Sequence, residues 1–252
     1  MSAASSPVVL ITGASRGIGA ATARVLAAQG HVVGLNFRDD VEAARQVVAQ
    51  IEAAGGRAMA LQADVSDEAQ VVALFDRCEQ ALGPLSGLVN NAGVLERQSP
   101  LAAMDAARLQ RVFATNVIGT LLCAREAVRR MSTQAGGRGG AIVNVSSAAS
   151  RLGSPNEYVD YAASKGAIDS FTIGLAKEVG PQGIRVNALR PGFIHTGIHA
   201  RGGEPDRIER LKGGIPLQRG GDPGEVADAI AWLLSPAASY VTGALVDISG
   251  GR

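Results

Sequence analysis

Tyr161 and Lys165 stand four residues apart in Tyr161-Ala162-Ala163-Ser164-Lys165, shortly after the run Asn144-Val145-Ser146-Ser147. On a helix, side chains at i and i+4 share a face, with roughly 5–6 Å between Cβ atoms. An ammonium beside a phenol favours the phenolate. An unperturbed Tyr titrates near ~10, and drawing it to neutrality takes roughly 4 kcal/mol of differential stabilisation. Such a phenol can pass a proton near pH 7. The alternative is a surface Tyr–Lys contact without chemistry, and the rest of the chain has to decide between the two.

The elements that would position this pair read as alternating strands and helices. Val8–Ile11 is a short buried strand, followed by a helical stripe of Ile18, Ala21, Val25 and Ala28. His31 to Phe37 is a second strand, and Ala44, Val47, Val48 and Ile51 mark the next helix, closed by Gly55-Gly56. Ala58 to Ala63 is a third strand. Val71, Leu74, Phe75, Cys78 and Leu82 line an amphipathic helix, and Leu85 to Val89 is a fourth strand. One long helix is predicted over about 105–131, with Asn116 set in the middle of its apolar stripe. A buried amide needs partners, so this one calls for an explanation. Ala141 to Val145, Ile184 to Leu189 and Ala244 to Ile248 complete the strands, and a last helix covers about 223–235. Residues 193–215 show little periodicity. Alternation of this kind predicts an α/β fold: one doubly wound parallel sheet of about seven strands with helices on both faces. No linker or repeat divides the chain, so 1–252 reads as one dinucleotide-binding domain with 193–215 as a substrate lid.

The first strand-loop-helix carries Gly13-x-x-x-Gly17-x-Gly19. Glycines let the backbone turn tightly and approach a pyrophosphate, and a helix N-terminus presents free N–H groups to it. Tight strand-helix packing alone would also use glycines, but the position after the first strand favours a dinucleotide. The second strand ends Leu35-Asn36-Phe37-Arg38. An acidic residue there would hold the ribose hydroxyls of NAD. Asn36 takes roughly that place, and Arg38 with Arg16 of the glycine loop supplies two guanidinium groups suited to a 2′-phosphate. NADP(H) is therefore favoured over NAD(H), although Asp39 and Asp40 sit close enough to neutralise Arg38.

The bulk composition excludes other classes. Net charge is +1 with no long run of one sign, which argues against nucleic acid or an anionic membrane surface as partner. No apolar run is long enough to span a bilayer, and Met1 to Pro7 carries no secretory pattern, so a cytoplasmic location is expected. Cys78 and Cys123 make no disulfide framework. His195 and His199 are four apart, but no Glu stands between them in the zinc-protease pattern, and no metal site is expected.

Together these motifs resemble the short-chain dehydrogenase/reductase family over nearly the whole chain. The resemblance rests on Thr12-Gly13-x-x-x-Gly17-x-Gly19, Asp64-Val65, Asn90-Asn91-Ala92-Gly93, Asn116, Ser147, Tyr161, Lys165, Pro191-Gly192 with Thr196, and Asp247-x-x-Gly250-Gly251. It implies that Tyr161 exchanges a proton with a carbonyl or secondary alcohol, that Ser147 holds the substrate oxygen, and that Lys165 lowers the Tyr161 pKa and binds the nicotinamide ribose. It implies that Asn116 holds a water joining Lys165 to solvent. Asp64 and Val65 would flank the adenine, and Asn91, Ala92 and Gly93 would line the ribose path. Ser15 and Ile18 belong to the phosphate loop, and Pro191, Gly192, Ile194 and Thr196 to the nicotinamide end. A homotetramer is also implied, one interface built on the Asn116 and Tyr161 helices and another on the 223–235 helix and closing strand.

One spacing departs from many relatives. Ser147 precedes Tyr161 by fourteen residues rather than thirteen, which puts an extra residue in the loop Arg151 to Asp160 beside the substrate pocket. Ser147 is chosen over Ser146 because strand alternation puts the two on opposite faces. Tyr158 is the rival phenol, but Ala162 four residues on supplies no charge. Glu96, His195, His199 and Arg201 are candidates to face substrate. The expected activity is a broad NADP-linked carbonyl reductase; ketoacyl-carrier reductase and sugar dehydrogenase are the enzyme alternatives. A dinucleotide-sensing regulatory protein is the alternative outside catalysis, disfavoured because Tyr161 and Lys165 are both intact.

Overall fold

The computed structural model describes residues 6–252, so the first five residues of the Met1–Pro7 reading lie outside the described residues. Seven parallel strands form one sheet in the order β3-β2-β1-β4-β5-β6-β7. They are β1 (Val8–Ile11), β2 (Val32–Phe37), β3 (Arg57–Gln62), β4 (Leu85–Asn90), β5 (Gly140–Val145), β6 (Ile184–Pro191) and β7 (Leu245–Ile248). The order reverses between β1 and β4, and the crevice beyond the strand ends at such a switch is where open α/β sheets bind ligands.

The short strand β1 shows why both faces are covered. Val9 and Ile11 face one apolar cluster, whereas Val8 and Leu10 face the other. A strand alternates faces, so an all-apolar VVLI run needs helices on both sides. The first cluster is closed by α1 (Gly17–Ala28), α2 (Val41–Ala53) and α10 (Pro223–Leu234). The second is closed by α3 (Glu68–Leu82), α5 (Thr120–Met131) and α7 (Val159–Val179). The caps are where the sequence would put them. Asp40 and Asp67 accept main-chain N–H bonds at the starts of α2 and α3, and Asp222 with Glu225 forms a capping box on α10. Cys78 and Cys123 are both free, and burial pushes each thiol up to about 12, which leaves them as small apolar core residues.

The expected long helix over 105–131 is present but not uniform. It runs as α4 (Ala106–Phe113), one π-helical turn over Ala114–Gly119, and α5. Asn116 lies in the π turn. Gly119 closes the turn against Val65, whose Cγ2 would stand 2.8 Å from a Cβ added there. β6 continues to Pro191, two residues past the expected end. The segment 193–215, which lacks periodicity, contains two short helices, α8 (Ile198–Arg201) and α9 (Arg207–Leu211). The loop before α7 holds a one-turn helix, α6 (Ala149–Leu152), and two left-handed non-glycine residues, Ser154 at φ 45° and Asn156 at φ 61°. This is the stretch that carries the extra residue between Ser147 and Tyr161.

Candidate active site

A cavity of about 640 Å³ opens along the C-terminal ends of β1, β2, β4, β5 and β6. Its floor is the glycine loop. Gly13 has φ +63°, and a Cβ there would lie 2.8 Å from the Ala92 Cα, so only glycine lets the loop meet the end of β4. Thr12 Oγ1 accepts from the main-chain N–H of both Asn91 and Ala92 at 3.0 Å. Asn91 Nδ2 donates back to the Thr12 and Gly13 carbonyls at 2.9 Å. The loop and the strand end therefore move as one piece. Among the described residues no protein acceptor takes the N–H groups of Gly17, Ile18 or Gly19 at the start of α1, so they are left for an anion.

Asn36 lines the cavity, yet its amide is committed to the fold. Nδ2 donates to the carbonyls of Leu61 at 3.2 Å and Ala63 at 3.0 Å, and Oδ1 accepts from Gly13 N at 3.3 Å. It braces the glycine loop against the end of β3. Arg16 and Arg38 both line the same end and both have carboxylate neighbours: Arg38 Nε is 2.7 Å from Asp39, and Arg16 is 3.6 Å from Asp40. All four side chains are largely solvent-exposed, so these pairs are weak and exchangeable. Asp64 and Val65 line the adjacent wall. Asp64 Oδ1 accepts from the main chain and hydroxyl of Ser66, which fixes the turn after β3.

Asn116 answers the question raised by its place in an apolar stripe. It is fully buried; Oδ1 accepts from Val94 N at 2.8 Å, and Nδ2 donates to Val94 O and to Ser164 Oγ, each at 3.1 Å. The π turn aims this amide at the strand end after β4 and at α7 together. The side chain is thus a clamp whose donors are both spent on protein groups. A Cβ on neighbouring Gly93 would sit 3.7 Å from Lys165 Nζ, so the backbone of 93 packs beside the ammonium.

The two serines after β5 separate as the strand alternation requires. Ser146 is buried and donates to Lys165 O at 3.2 Å. Ser147 is half-buried on the cavity wall, where its Oγ accepts from Ala149 N at 3.1 Å. Tyr161 and Lys165 lie on α7 with Nζ 5.6 Å from the centre of the Tyr161 ring. Lys165 is 4% exposed, and Nζ donates to Val145 O at 2.7 Å.

The electrostatics differ from the expectation for an isolated pair. Burial pushes Tyr161 up from its ordinary value, and hydrogen bonding with Ser147 acts against that rise. Burial lowers Lys165 to about 8, partly offset by Asp169. Desolvation thus dominates at both groups. In the free protein the phenol is held protonated, which suits a proton donor. Lys165 carries its positive charge below about pH 8 and loses it above. Reduction of a carbonyl therefore slows as pH rises through about 8, because the Lys165 charge that favours the departing proton is lost there while Tyr161 itself stays protonated. A pH profile of kcat/KM for reduction checks this; a flat profile between pH 6 and 9.5 would remove Lys165 from the proton step.

Pro191 and Gly192 end β6 under the cavity; Pro191 O accepts from Ala148 N and Gly192 N donates to Ile248 O, both at 2.9 Å. Ile194 is buried in the apolar cluster, and Thr196 stands over Gly17, its Cγ2 3.3 Å from a Cβ built there. These residues line the same cavity. Tyr158, the rival phenol, is buried and donates to Gly202 O at 3.1 Å, with the Arg207 guanidinium 4.9 Å from its ring centre. Of the four candidates to face substrate, His199 and Arg201 line the cavity. Glu96 instead pairs with Arg111, and His195 packs by Gly220.

Three features had no signal strong enough to find in the sequence. Arg207 in α9 is buried and paired with Glu157 and Glu204, pinning 198–211 to the loop before α7. Arg252 returns to the cavity from the far end of the chain. Arg108 of α4 grips Asp160, next to Tyr161, through Nε at 2.7 Å and a second nitrogen at 3.2 Å, and also donates to Arg97 O at 2.6 Å.

The chain can be placed among known proteins on this geometry. The family model described as enoyl-(acyl carrier protein) reductase matches residues 13–252. An uncharacterized oxidoreductase, YgfF, of Escherichia coli (strain K12) is 59% identical over 97% of this chain and 99% of its own length. A 3-oxoacyl-[acyl-carrier-protein] reductase of Synechocystis sp. is 40% identical over 100% of this chain and 98% of its own. A short-chain dehydrogenase from Burkholderia cenocepacia, solved in complex with NADP, superposes with a TM-score of 0.90 at 34% identity over 98% of both chains. With the glycine loop, Ser147, Tyr161 and Lys165 lining one cavity, these matches make the chain a member of the short-chain dehydrogenase/reductase family, an oxidoreductase of alcohol and ketone groups.

Proposed function

We propose that this protein is an NADP(H)-dependent reductase of ketones and aldehydes, running in reverse on secondary alcohols, with Tyr161 as the proton-exchanging group. One observation carries the reading: Tyr161, Ser147 and Lys165 share a single cavity with the glycine loop and the open N-terminus of α1. The residues present fit a dinucleotide. The unpartnered N–H groups of α1 would hold its pyrophosphate, and the Gly13 backbone makes room for close approach. When bound, the nicotinamide supplies or accepts the hydride. Ser147 donates to the substrate oxygen and orients it, and Tyr161 Oη gives that oxygen its proton. Lys165, anchored on Val145 O, holds a positive charge behind the ring and favours the phenolate left after transfer. Asn116 positions Lys165 indirectly by fixing Ser164 and the 93–94 backbone.

Arg16 and Arg38 at the adenosine end support NADP(H), as does the NADP complex of the Burkholderia relative. Asp39 and Asp40 release these guanidinium groups when a phosphate arrives, since exposed pairs contribute little. Arg38→Ala is expected to weaken NADPH binding about tenfold and leave NADH nearly unchanged, because a charge-assisted contact of roughly 1.5 kcal/mol is lost only with the phosphate. Fluorescence titration with both cofactors reads this; equal effects on the two would refute the assignment. Ketoacyl-carrier reduction is the second reading, favoured by the Synechocystis relative.

Residues 1–252 are read as one functional unit with 193–215 as its lid. A homotetramer is the proposed assembly. Ile118 of the π turn and Ile173 of α7 are exposed, as are Trp232 of α10 and Tyr240 between α10 and β7, which supports two surfaces for association. Light scattering at micromolar concentration should give four chains; a monomer would refute it. No described helix is long and apolar enough to cross a membrane, and two buried free thiols suit a reducing, cytoplasmic setting. Steady-state assay of a ketone and aldehyde panel with NADPH tests the activity itself.

A further inference from the structure

The cavity lining includes Leu95, Leu152, Pro155 and Leu211, and three arginines, Arg201, Arg207 and Arg252, line it with them. Their situations differ. Arg207 stands 5.5 Å from the centre of the Phe193 ring and is neutralised by Glu157 and Glu204. Its charge is spent on holding α9 in place. Arg252, the last residue of the sequence, puts its guanidinium 4.9 Å from the centre of the same ring. Its main-chain oxygen accepts from Ser249 Oγ at 2.7 Å and from Arg151 at 3.0 Å, so the residue is pinned at the cavity wall. Yet its guanidinium has no ion pair or hydrogen bond among the described residues. Arg201 of α8 lines the same cavity and is equally without a carboxylate among the described residues.

Most other arginines near this end are committed: Arg151 and Arg190 share Asp247, and Arg210 binds Glu157 and Glu204. Arg201 is exposed and Arg252 half-buried, so two cations without a carboxylate partner among the described residues meet whatever enters the cavity from solvent and favour an anion there. Planar guanidinium groups match a carboxylate in two-point hydrogen bonding. The aromatic face under Arg252 fixes the cation without neutralising it.

We propose that Arg252 and Arg201 form a carboxylate-binding end of the substrate site, so that the substrate is a carbonyl compound, or the matching alcohol, with an apolar body and a carboxylate at its far end. This rests on the carbonyl-reductase reading above. The carbonyl is presented to Tyr161 and Ser147, the body lies along the apolar walls, and the carboxylate reaches the two arginines.

The test uses (ω−1)-oxo acids from 4-oxopentanoate to 8-oxononanoate and the methyl ester of each. Binding is measured by calorimetry to the NADP⁺-loaded Tyr161→Phe protein, in which no hydride is available to the ketone; reduction is measured on the unmodified enzyme with NADPH. At least one acid should bind about tenfold or more tightly than its ester at low salt. The advantage should shrink at 0.5 M salt. Arg201→Gln and Arg252→Gln should each cut it by about threefold to tenfold, and the double variant should erase it while ester affinity holds. If no acid in the series outbinds its ester, or the double variant weakens both alike, the proposal is overturned. Reduction separates the two levels of inference. Acids and esters bound and reduced equally leave the reductase reading intact and remove the carboxylate end. An acid bound tightly through both arginines but never reduced keeps the carboxylate end and removes the reductase reading.

Discussion

Tyr161→Phe lowers carbonyl reduction by about 10²–10⁴-fold while leaving NADPH affinity within about twofold of the unmodified enzyme. The variant removes one oxygen and keeps the ring. Tyr161 lines the cavity, and Lys165 Nζ donates to Val145 O. The ring contact with Lys165 at 5.6 Å therefore survives, and the fold should lose less than about 1 kcal/mol. What is lost is the proton. No other group held at hydrogen-bond distance supplies a proton, so the transition state carries unneutralised charge, worth several decades in rate. Steady-state kinetics on the best carbonyl of the panel, with fluorescence titration of NADPH, gives both numbers. Activity within threefold of the unmodified enzyme would show that another group supplies the proton.

Asp160→Ala destabilises the protein by about 3–5 kcal/mol, because it strands the Arg108 guanidinium in a nearly dry site. Asp160 is 1% exposed at the side chain and Arg108 10%. Two of the three Arg108 bonds end on Asp160, and the third, to Arg97 O, cannot replace them. The pair also joins α4 to the first turn of α7, one residue before Tyr161, so the loss falls on the site as well as on the fold. Paired replacement with apolar residues, Arg108→Met with Asp160→Leu, should recover most of the stability, since burying an ion pair is costly in itself. Urea unfolding followed by circular dichroism measures both. A loss below about 1 kcal/mol for Asp160→Ala would mean that water reaches Arg108 freely.

The order of strands and helices was readable because the physics that sets it is local. β1 is all apolar, so it had to be covered on both faces, and the glycine loop after it had to be a tight turn into a helix. The side chains of Ser147, Tyr161 and Lys165 came together because strand alternation and helical spacing place them. Other features depend on groups distant in sequence. The π turn at 114–119 leaves the apolar stripe of its helix nearly intact, so periodicity does not reveal it. Asn116 was conspicuous as a polar residue in that stripe, but its partners, Val94 and Ser164, are tertiary. Asn36 occupies the position expected to touch a ribose, and only the sheet shows that β3 takes its donors. α8 and α9 are too short for a periodic signal; ion pairs from Glu157 and Glu204 hold α9. The Tyr161 pKa followed burial rather than spacing, because a four-residue interval says nothing about desolvation. Arg252 reaches Phe193 across the fold, a proximity no local pattern encodes.

The most direct measurement is NADPH consumption, followed at its nicotinamide absorbance, by the full-length protein against a panel of ketones and aldehydes, with Tyr161→Phe run beside it. The geometry predicts carbonyl-dependent oxidation of NADPH that nearly vanishes in the variant while the dinucleotide still binds. A protein that binds NADPH yet consumes it with no carbonyl, or consumes it equally well as Tyr161→Phe, would contradict the catalytic assignment.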